Sequence, residues 1–131
     1  MIIDHIDHFV LTVRDVEKTC AFYTCALGMT QEVFGEGRTA LKFGSQKINL
    51  HIVGKELEPK AKNPMPGNGD FCLITKTPMG EVVKHLQGAG VKIELMPSLR
   101  TGAMGPINSV YFRDPDQNLI EISVYEDIKC V

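Results

Sequence analysis

A carboxylate stands inside an apolar strand near the end of the sequence. Residues 119–125 alternate in polarity, with Ile120 and Ile122 on one face and Glu121 on the other. Burying a carboxylate is unfavourable unless a charge or a hydrogen-bond donor pairs with it. The group that faces Glu121 therefore bears directly on function.

Two imidazoles and a second carboxylate occupy similar polar positions in other predicted strands. His8 lies on the polar face of an early strand, His51 lies on the polar face of a later one, and Asp70 begins a strand after a glycine. Neutral imidazole and carboxylate suit first-row divalent metals, and such ligand sets leave positions open for water or substrate. We predict a metal site built from His8, His51, Asp70 and Glu121, with Glu121 also catalytic and Zn, Ni, Mn and Fe(II) all possible.

Each of these residues also has a structural interpretation. A single half-buried histidine in a strand is usually a hydrogen-bonded core residue. Asp70 follows a glycine and can simply cap a turn. Glu121 can form a structural ion pair with Lys47, Arg38 or Arg113.

The first half of the sequence predicts a βαβββ order. Asp15 is a suitable N-cap for a helix, and Gly28 is a suitable residue to end it. Alternating apolar residues predict the strands. The predicted strands cover residues 5–13, 30–34, 38–43 and 47–53.

The second half predicts the same order after a connection rich in proline, lysine and glycine. Thr77 is expected to cap the helix, with Pro78 at its first position and Gly90 at its end. The segment 97–106 is expected to be a long loop, which serves either as a lid or as an ordinary flexible connection. The predicted strands cover residues 70–74, 91–95, 107–113 and 119–125.

The two halves can be laid on each other, which indicates an internal duplication. An offset of 62 places Asp70 on His8, and an offset of 70 places Glu121 on His51. The predicted fold class is therefore α+β, with two βαβββ modules whose helices cover one sheet face and whose other face lines a site. The predicted boundaries within a single domain 1–131 are module one at about 4–54, a linker at about 55–68 and module two at about 69–126.

Composition excludes several classes of protein. The 131 residues carry a net charge of −2, with 44% hydrophobic and 23% charged residues, which is typical of a soluble globular domain. No basic run indicates nucleic-acid binding, and no apolar run has the length of a membrane span. The four cysteines form no CxxC pair, so we expect reduced thiols and a cytoplasmic protein.

Three segments resemble the vicinal oxygen chelate superfamily, which contains glyoxalases, bleomycin-resistance proteins and extradiol dioxygenases. They are Asp7–Val13, Phe22–Gly28 and Tyr111–Glu121, and the resemblance covers residues 5–125. It is greatest to small glyoxalase-domain-containing proteins, some of them described as virulence-associated. The resemblance implies two modules curled into a cup around a divalent metal. It also implies ligands from the first and last strands of each module, here His8, His51, Asp70 and Glu121.

The resemblance implies a homodimer, in which modules are sometimes exchanged between chains, and a small-molecule substrate. The sequence departs from the family pattern at Asp70, where His or Glu is usual, so this shorter carboxylate either reaches the metal, binds it through water or leaves a three-ligand site. No glutathione-recognition pattern is present. These features leave a glyoxalase-like lyase and an extradiol-type dioxygenase both open.

Two classes of function follow from these observations. In the first, the chain is an enzyme whose metal stabilises an enediolate or a catecholate, with Glu121, Asp70 or a metal-bound hydroxide as the base. Lys42, Lys47 and Arg100 could then meet an anionic group of the substrate. In the second, the chain binds and sequesters a drug or metabolite without chemistry, as bleomycin-resistance proteins do.

Overall fold

A computed structural model describes residues 1–126 and confirms an α+β fold of two βαβββ modules. The contacts divide the chain into two compact units. The first contains residues 1–69 and 114–117, and the second contains residues 70–113 and 118–126. The elements are β1 (His8–Val13), α1 (Val16–Leu27), β2 (Thr30–Phe34), β3 (Arg38–Phe43), β4 (Gln46–Ile52), β5 (Asp70–Ile74), α2 (Met79–Gly88), β6 (Ile93–Gly102), β7 (Gly105–Arg113) and β8 (Leu119–Tyr125).

The first unit holds a four-stranded sheet in the order β1-β4-β3-β2. Its first and last strands, β1 and β4, pair in parallel. Helix α1 begins where the Asp15 carboxylate accepts a hydrogen bond from the Lys18 amide at 3.0 Å. It ends at Gly28, whose φ of 66° is a left-handed conformation that glycine adopts without strain. Both predicted caps are confirmed.

The core of the first unit lies between α1 and one face of this sheet. Helix α1 contacts β2 and β3, and its Tyr23 and Cys20 are buried. Leu41 and Ile48, which are neighbours across β3 and β4, are fully buried as well. The alternation of the strands therefore sends the polar residues of β1, β3 and β4 to the opposite face.

The second unit repeats this plan with the strand order β5-β8-β7-β6. The expected cap at Thr77 is wrong, because α2 begins at Met79 and its N-cap is Pro78, which makes no side-chain cap hydrogen bond. The Thr77 amide instead donates to the Thr75 hydroxyl at 3.1 Å. A turn closed by the Thr75 side chain thus precedes the helix, which begins two residues after Thr77.

The segment 97–106 is not the predicted loop. Strand β6 continues to Gly102 and β7 begins at Gly105, so the two form one long hairpin. Pro97 lies in β6, which is an edge strand of its sheet, and edge strands tolerate proline. Register shifts between Ile93 and Ser98 accommodate it. The lid interpretation is therefore wrong for this segment.

The turn at 114–117, which lies between β7 and β8, packs in the first unit. The Tyr23 hydroxyl donates to the Asp114 carboxylate at 2.8 Å, and the Arg14 guanidinium donates to Asp116 at 3.1 Å. The Gln117 amide donates to the Asp114 carbonyl at 3.0 Å and closes a tight turn. The single domain over 1–131, with its predicted linker, stays a prediction. Neither helix among residues 1–126 has the length and apolarity of a membrane span.

Candidate functional site

The sheet face of the first unit that is turned away from α1 carries its polar residues in rows. Along β1 and β4, His8 lies beside Lys47, Val10 beside Asn49, and Thr12 beside His51. These rows continue across β3, where Lys42 lies opposite Lys47 and Ala40 lies opposite Asn49. The face is therefore a grid in which the row of each residue is fixed by the strand register.

His8 and His51 share this face but lie in different rows. His51 is four positions beyond Lys47, the partner of His8, which corresponds to about 13 Å along the strands. His8 is exposed, and its Nδ1 hydrogen-bonds the Asp7 carboxylate at 2.8 Å. This hydrogen bond holds the pKa of Asp7 below its usual value. Within the first unit, the two histidines are therefore not adjacent.

The strand registers show that the two offsets between the modules do not hold together. Asp70 pairs with Leu119, so Glu121 lies two positions beyond the partner of Asp70. His8 pairs with Lys47, so Asn49 matches Glu121 if the offset of 62 holds for the first strands. If the offset of 70 holds for the last strands, His51 matches Glu121, and its partner Thr12 matches Cys72. Asn49 and His51 are therefore both candidates for the position equivalent to Glu121.

His51 is nevertheless prepared to act as an acceptor or a ligand. Only 7% of its surface is exposed, and its Nε2 has no hydrogen-bond partner among residues 1–126. Burial lowers its pKa, and the nearby positive charge of Arg38 lowers it further, although Glu56 opposes them. His51 is therefore held neutral, which is the form that binds a metal or accepts a hydrogen bond.

Asn49 is a functional candidate that sequence reasoning missed. It is 4% exposed, and its Oδ1 also lacks a hydrogen-bond partner within the described part of the chain. A buried amide oxygen without a partner costs free energy, and it is a suitable hard ligand for a divalent cation or acceptor for a substrate hydroxyl. The only sequence signal was an asparagine on the polar face of an otherwise apolar strand.

A cavity of about 410 Å³ opens on this face of the first unit. Val10, Thr12 and His51 line it from the sheet, and the segment 59–68 lines it with Lys60 among other residues. The lining of the cavity thus combines an apolar side chain, a hydroxyl, a neutral imidazole and an ammonium group, from Val10, Thr12, His51 and Lys60. A small oxygenated molecule has complementary chemistry to such a lining.

In the second unit, Glu121 belongs to a chain of hydrogen bonds. The Ser123 hydroxyl donates to Glu121 Oε2 at 3.2 Å, and the Ser109 and Ser123 hydroxyls lie 2.6 Å apart. Because Ser123 gives its proton to Glu121, Ser109 donates to Ser123. The Cys72 thiol lies 3.2 Å from the same Ser123 hydroxyl, and burial raises its pKa.

Tyr111 is the neighbour of Glu121 on the adjacent strand. The two residues are partners across β7 and β8. Burial raises the pKa of Tyr111, and its hydrogen bond to Glu121 acts in the same direction, whereas a hydrogen bond from Arg100 opposes them. The Glu121 carboxylate thus accepts a hydrogen bond from Ser123 and has Tyr111 as its cross-strand neighbour.

Asp70 lies on the same face of the second unit as Glu121, in the adjacent row of the β5–β8 register. It is exposed. Arg113, one of the proposed structural partners of Glu121, instead forms an ion pair with Glu94 at 3.0 Å. Among residues 1–126, no three His, Cys, Asp or Glu side chains are gathered as a metal cluster. The ligand set His8, His51, Asp70 and Glu121 stays a prediction.

Comparison with known proteins gives a family and close relatives. A model of the glyoxalase/bleomycin resistance protein/dioxygenase superfamily matches residues 5–122. Glyoxalase domain-containing protein RDO1 of Mycosarcoma maydis is 54% identical over 124 residues, which is 95% of this chain and 70% of that protein. Virulence protein STM3117 of Salmonella typhimurium is 54% identical over 125 residues, which is 95% of this chain and 87% of that protein.

Solved structures agree with this assignment. The crystal structure of STM3117 superposes with a TM-score of 0.95, covering 96% of this chain and 100% of that chain. Lactoylglutathione lyase from Agrobacterium tumefaciens, at 22% identity, has a TM-score of 0.70 over 92% of each chain and shares the fold. The resemblance found in the sequence is confirmed: the chain belongs to the glyoxalase/bleomycin resistance protein/dioxygenase superfamily.

Proposed function

We propose that the chain is a divalent-metal-dependent enzyme that acts on a small oxygenated substrate, as a glyoxalase-like lyase or isomerase or as an extradiol-type dioxygenase. One observation carries the proposal. In each module the first strand and the last strand place polar side chains at the same register offset on the face turned away from the helix, His8 with Asn49 and Asp70 with Glu121. This repetition is expected if both modules contribute ligands to a metal.

The residues present fit such an ion. His8, Asp70 and Glu121 supply one imidazole and two carboxylates, and β4 supplies either Asn49 or His51. Both β4 candidates are buried. Asn49 Oδ1 and His51 Nε2 have no hydrogen-bond partner among residues 1–126, as is expected of atoms that bind an ion. Members of this family commonly use divalent metals, and Zn, Ni, Mn and Fe(II) all suit these donors.

The bound ion would supply Lewis-acid stabilisation of negative charge on two adjacent substrate oxygens. In the proposed lyase reaction, Glu121 removes the proton next to the substrate carbonyl. The Ser123 hydroxyl, which donates to Oε2 at 3.2 Å, fixes the orientation of this base. Removal of a general base typically costs about 10²–10⁴-fold in rate, so Glu121→Gln should lose turnover by that factor.

Metal analysis of protein purified without added metal tests the proposal. The wild type should carry stoichiometric metal, and Glu121→Ala should lose it. Asn49→Ala and His51→Ala separate the two β4 candidates, because only the true ligand is needed for metal retention. His85→Ala, on helix α2, is the matched control and should keep the metal. Full metal content in all of the site variants would contradict the proposed ligand set.

A substrate screen then divides the reactions. Turnover of hemithioacetals with bound Zn or Ni would assign a lyase, and oxygen-dependent turnover of catechols with Fe(II) would assign a dioxygenase. We also propose a homodimer, which light scattering on the purified protein tests directly.

Sequestration of a drug or metabolite is the second candidate function. The cavity of about 410 Å³ favours it, because the residues that line it come from the first unit alone and include both apolar and polar groups. A sequestering protein should bind its ligand fully after removal of metal with EDTA. An enzyme of the proposed type should lose its activity under the same treatment.

A further inference from the structure

The grid of the first unit carries an excess of positive charge at one side. Across β2, β3 and β4, the residues on the cavity-bearing face include the cations Arg38, Lys42 and Lys47 and a single carboxylate, Glu32. Among residues 1–126, no carboxylate lies within ion-pairing distance of these three cations. The face therefore has an excess of positive charge next to the cavity, although the Asp7 carboxylate also acts electrostatically on Lys47.

Two of these cations converge on one aromatic ring. The Lys47 Nζ lies 3.6 Å from the centroid of the Phe34 ring, and the Arg38 guanidinium carbon lies 4.7 Å from it. Ala40, which is fully buried between their rows, is small enough to let the side chains meet above it. Cation–π contact thus holds two flexible cations in place, and less side-chain entropy is lost when they bind an anion.

The arrangement has a local cost that a purely structural face would avoid. Lys42 and Lys47 are direct cross-strand partners, and like charges in such positions repel each other. A pair of like charges that lowers stability in this way is expected at a functional site, where binding requires it. An anion bound between the strands would remove the repulsion.

The charged patch borders the cavity at His51. Arg38 precedes Thr39, the partner of Leu50, and its charge acts on the His51 imidazole. His51 in turn lines the cavity together with Thr12. A molecule in the cavity can therefore place one end at Thr12 and His51 and extend its other end past Arg38 toward Lys47.

We propose that Lys47, Arg38 and the edge of Phe34 form a subsite for the carboxylate of a small organic acid, whose uncharged end occupies the His51 cavity. The two cations supply charge-assisted hydrogen bonds, and the positive edge of the aromatic ring is compatible with an anion. The subsite names a substrate class, small organic acids, for the proposed enzyme. That the acid is a substrate rests on the proposed function, whereas its binding does not.

Titration of the EDTA-treated protein with benzoate, followed by NMR amide shifts, tests the subsite without metal or turnover. Benzamide, which has the same shape and no charge, is the matched ligand control. Benzoate should shift the amides of β3 and β4 and should bind at least about tenfold more weakly to Lys47→Gln and to Arg38→Gln. Lys84→Gln, an exposed lysine of α2, should bind it as the wild type does.

Equal binding of benzoate and benzamide would overturn the inference, and so would unchanged benzoate affinity in both variants. Because Lys47 and Arg38 are only partly buried, the spectra of the variants should show that each remains folded. Because the assay contains no metal, its failure leaves the proposed metal chemistry standing, and failure of the metal analysis leaves the subsite standing.

Discussion

Lys42 lies directly opposite Lys47 in the antiparallel pair formed by β3 and β4. Neither ammonium group has an ion-pair partner among residues 1–126. Lys47 is held over the Phe34 ring, while Lys42 is exposed. The repulsion between the two ammonium groups therefore reduces the stability of the free protein, and a bound anion or dissolved salt would screen it.

Replacement of Lys42 by threonine, a good strand residue, should stabilise the protein. The expected gain is about 0.2–1 kcal/mol in the free energy of unfolding, because a like-charge cross-strand pair is removed. Urea denaturation measures it. The gain should shrink at high salt, and Lys62→Thr in an exposed connection should show no such gain. A destabilised Lys42→Thr protein would contradict this interpretation.

His51 should make the stability of the protein depend on pH. Burial first and Arg38 second lower its pKa below the ordinary 6.5, so the unfolded chain takes up a proton at a higher pH than the folded protein does. The contribution of His51 is full above pH 6.5 and is lost as pH falls from there through the folded pKa. Denaturation of the wild type and His51→Asn over this range should diverge, with the variant less sensitive to acid. Parallel curves would contradict the prediction.

The hydroxyl of Tyr23 should be needed to hold the turn at 114–117. It is fully buried and donates to the buried Asp114 carboxylate at 2.8 Å. Tyr23→Phe should therefore destabilise the protein by about 1–3 kcal/mol, since a buried hydrogen bond to a charged group is lost. Thermal unfolding measures this cost. In Tyr125→Phe the lost partner is the exposed Met104 amide, which water can satisfy, so this control should cost much less.

Substitution of Gly67 should destabilise the protein because of a steric clash as well as its backbone conformation. Its φ is +86°, and an added Cβ would lie 2.7 Å from the Asp116 carbonyl oxygen. Gly54 has a similar φ of +81° with nothing within 4 Å. Gly54→Ala should cost about 1–2 kcal/mol for the left-handed backbone alone, and Gly67→Ala should cost about 1–3 kcal/mol more for the clash. Equal losses in chemical denaturation would show that the loop relaxes freely around Asp116.

The sequence was sufficient to predict the element order and the polar faces but not the register. Alternation with a period of two places His51 and Asn49 on the same face, so both are compatible with the pattern. Only the pairing of His8 with Lys47 and of Asp70 with Leu119 shows that Asn49 matches Glu121 if His8 matches Asp70. Hydrogen bonds between strands that are distant in the sequence determine this register. A local sequence pattern does not contain that information.

The hairpin of β6 and β7 was missed for a related reason. Proline and glycine between residues 97 and 106 usually interrupt a strand. Here Pro97 sits on an edge strand, where its missing amide proton costs no ladder hydrogen bond, and register shifts absorb the irregularity. Whether a strand lies at an edge is a property of the finished sheet, which a local pattern does not contain.

The two units are interleaved along the chain, because the turn at 114–117 is built into the unit formed by residues 1–69. A protease cut in the proline-rich connection would thus not release two independent halves. The amino-terminal fragment would lack Asp114 and Asp116, and its Tyr23 and Arg14 would lose the carboxylates they bind. Two fragments divided in this connection would therefore have to reassociate, because the carboxyl-terminal fragment alone supplies the turn at 114–117 to the first unit.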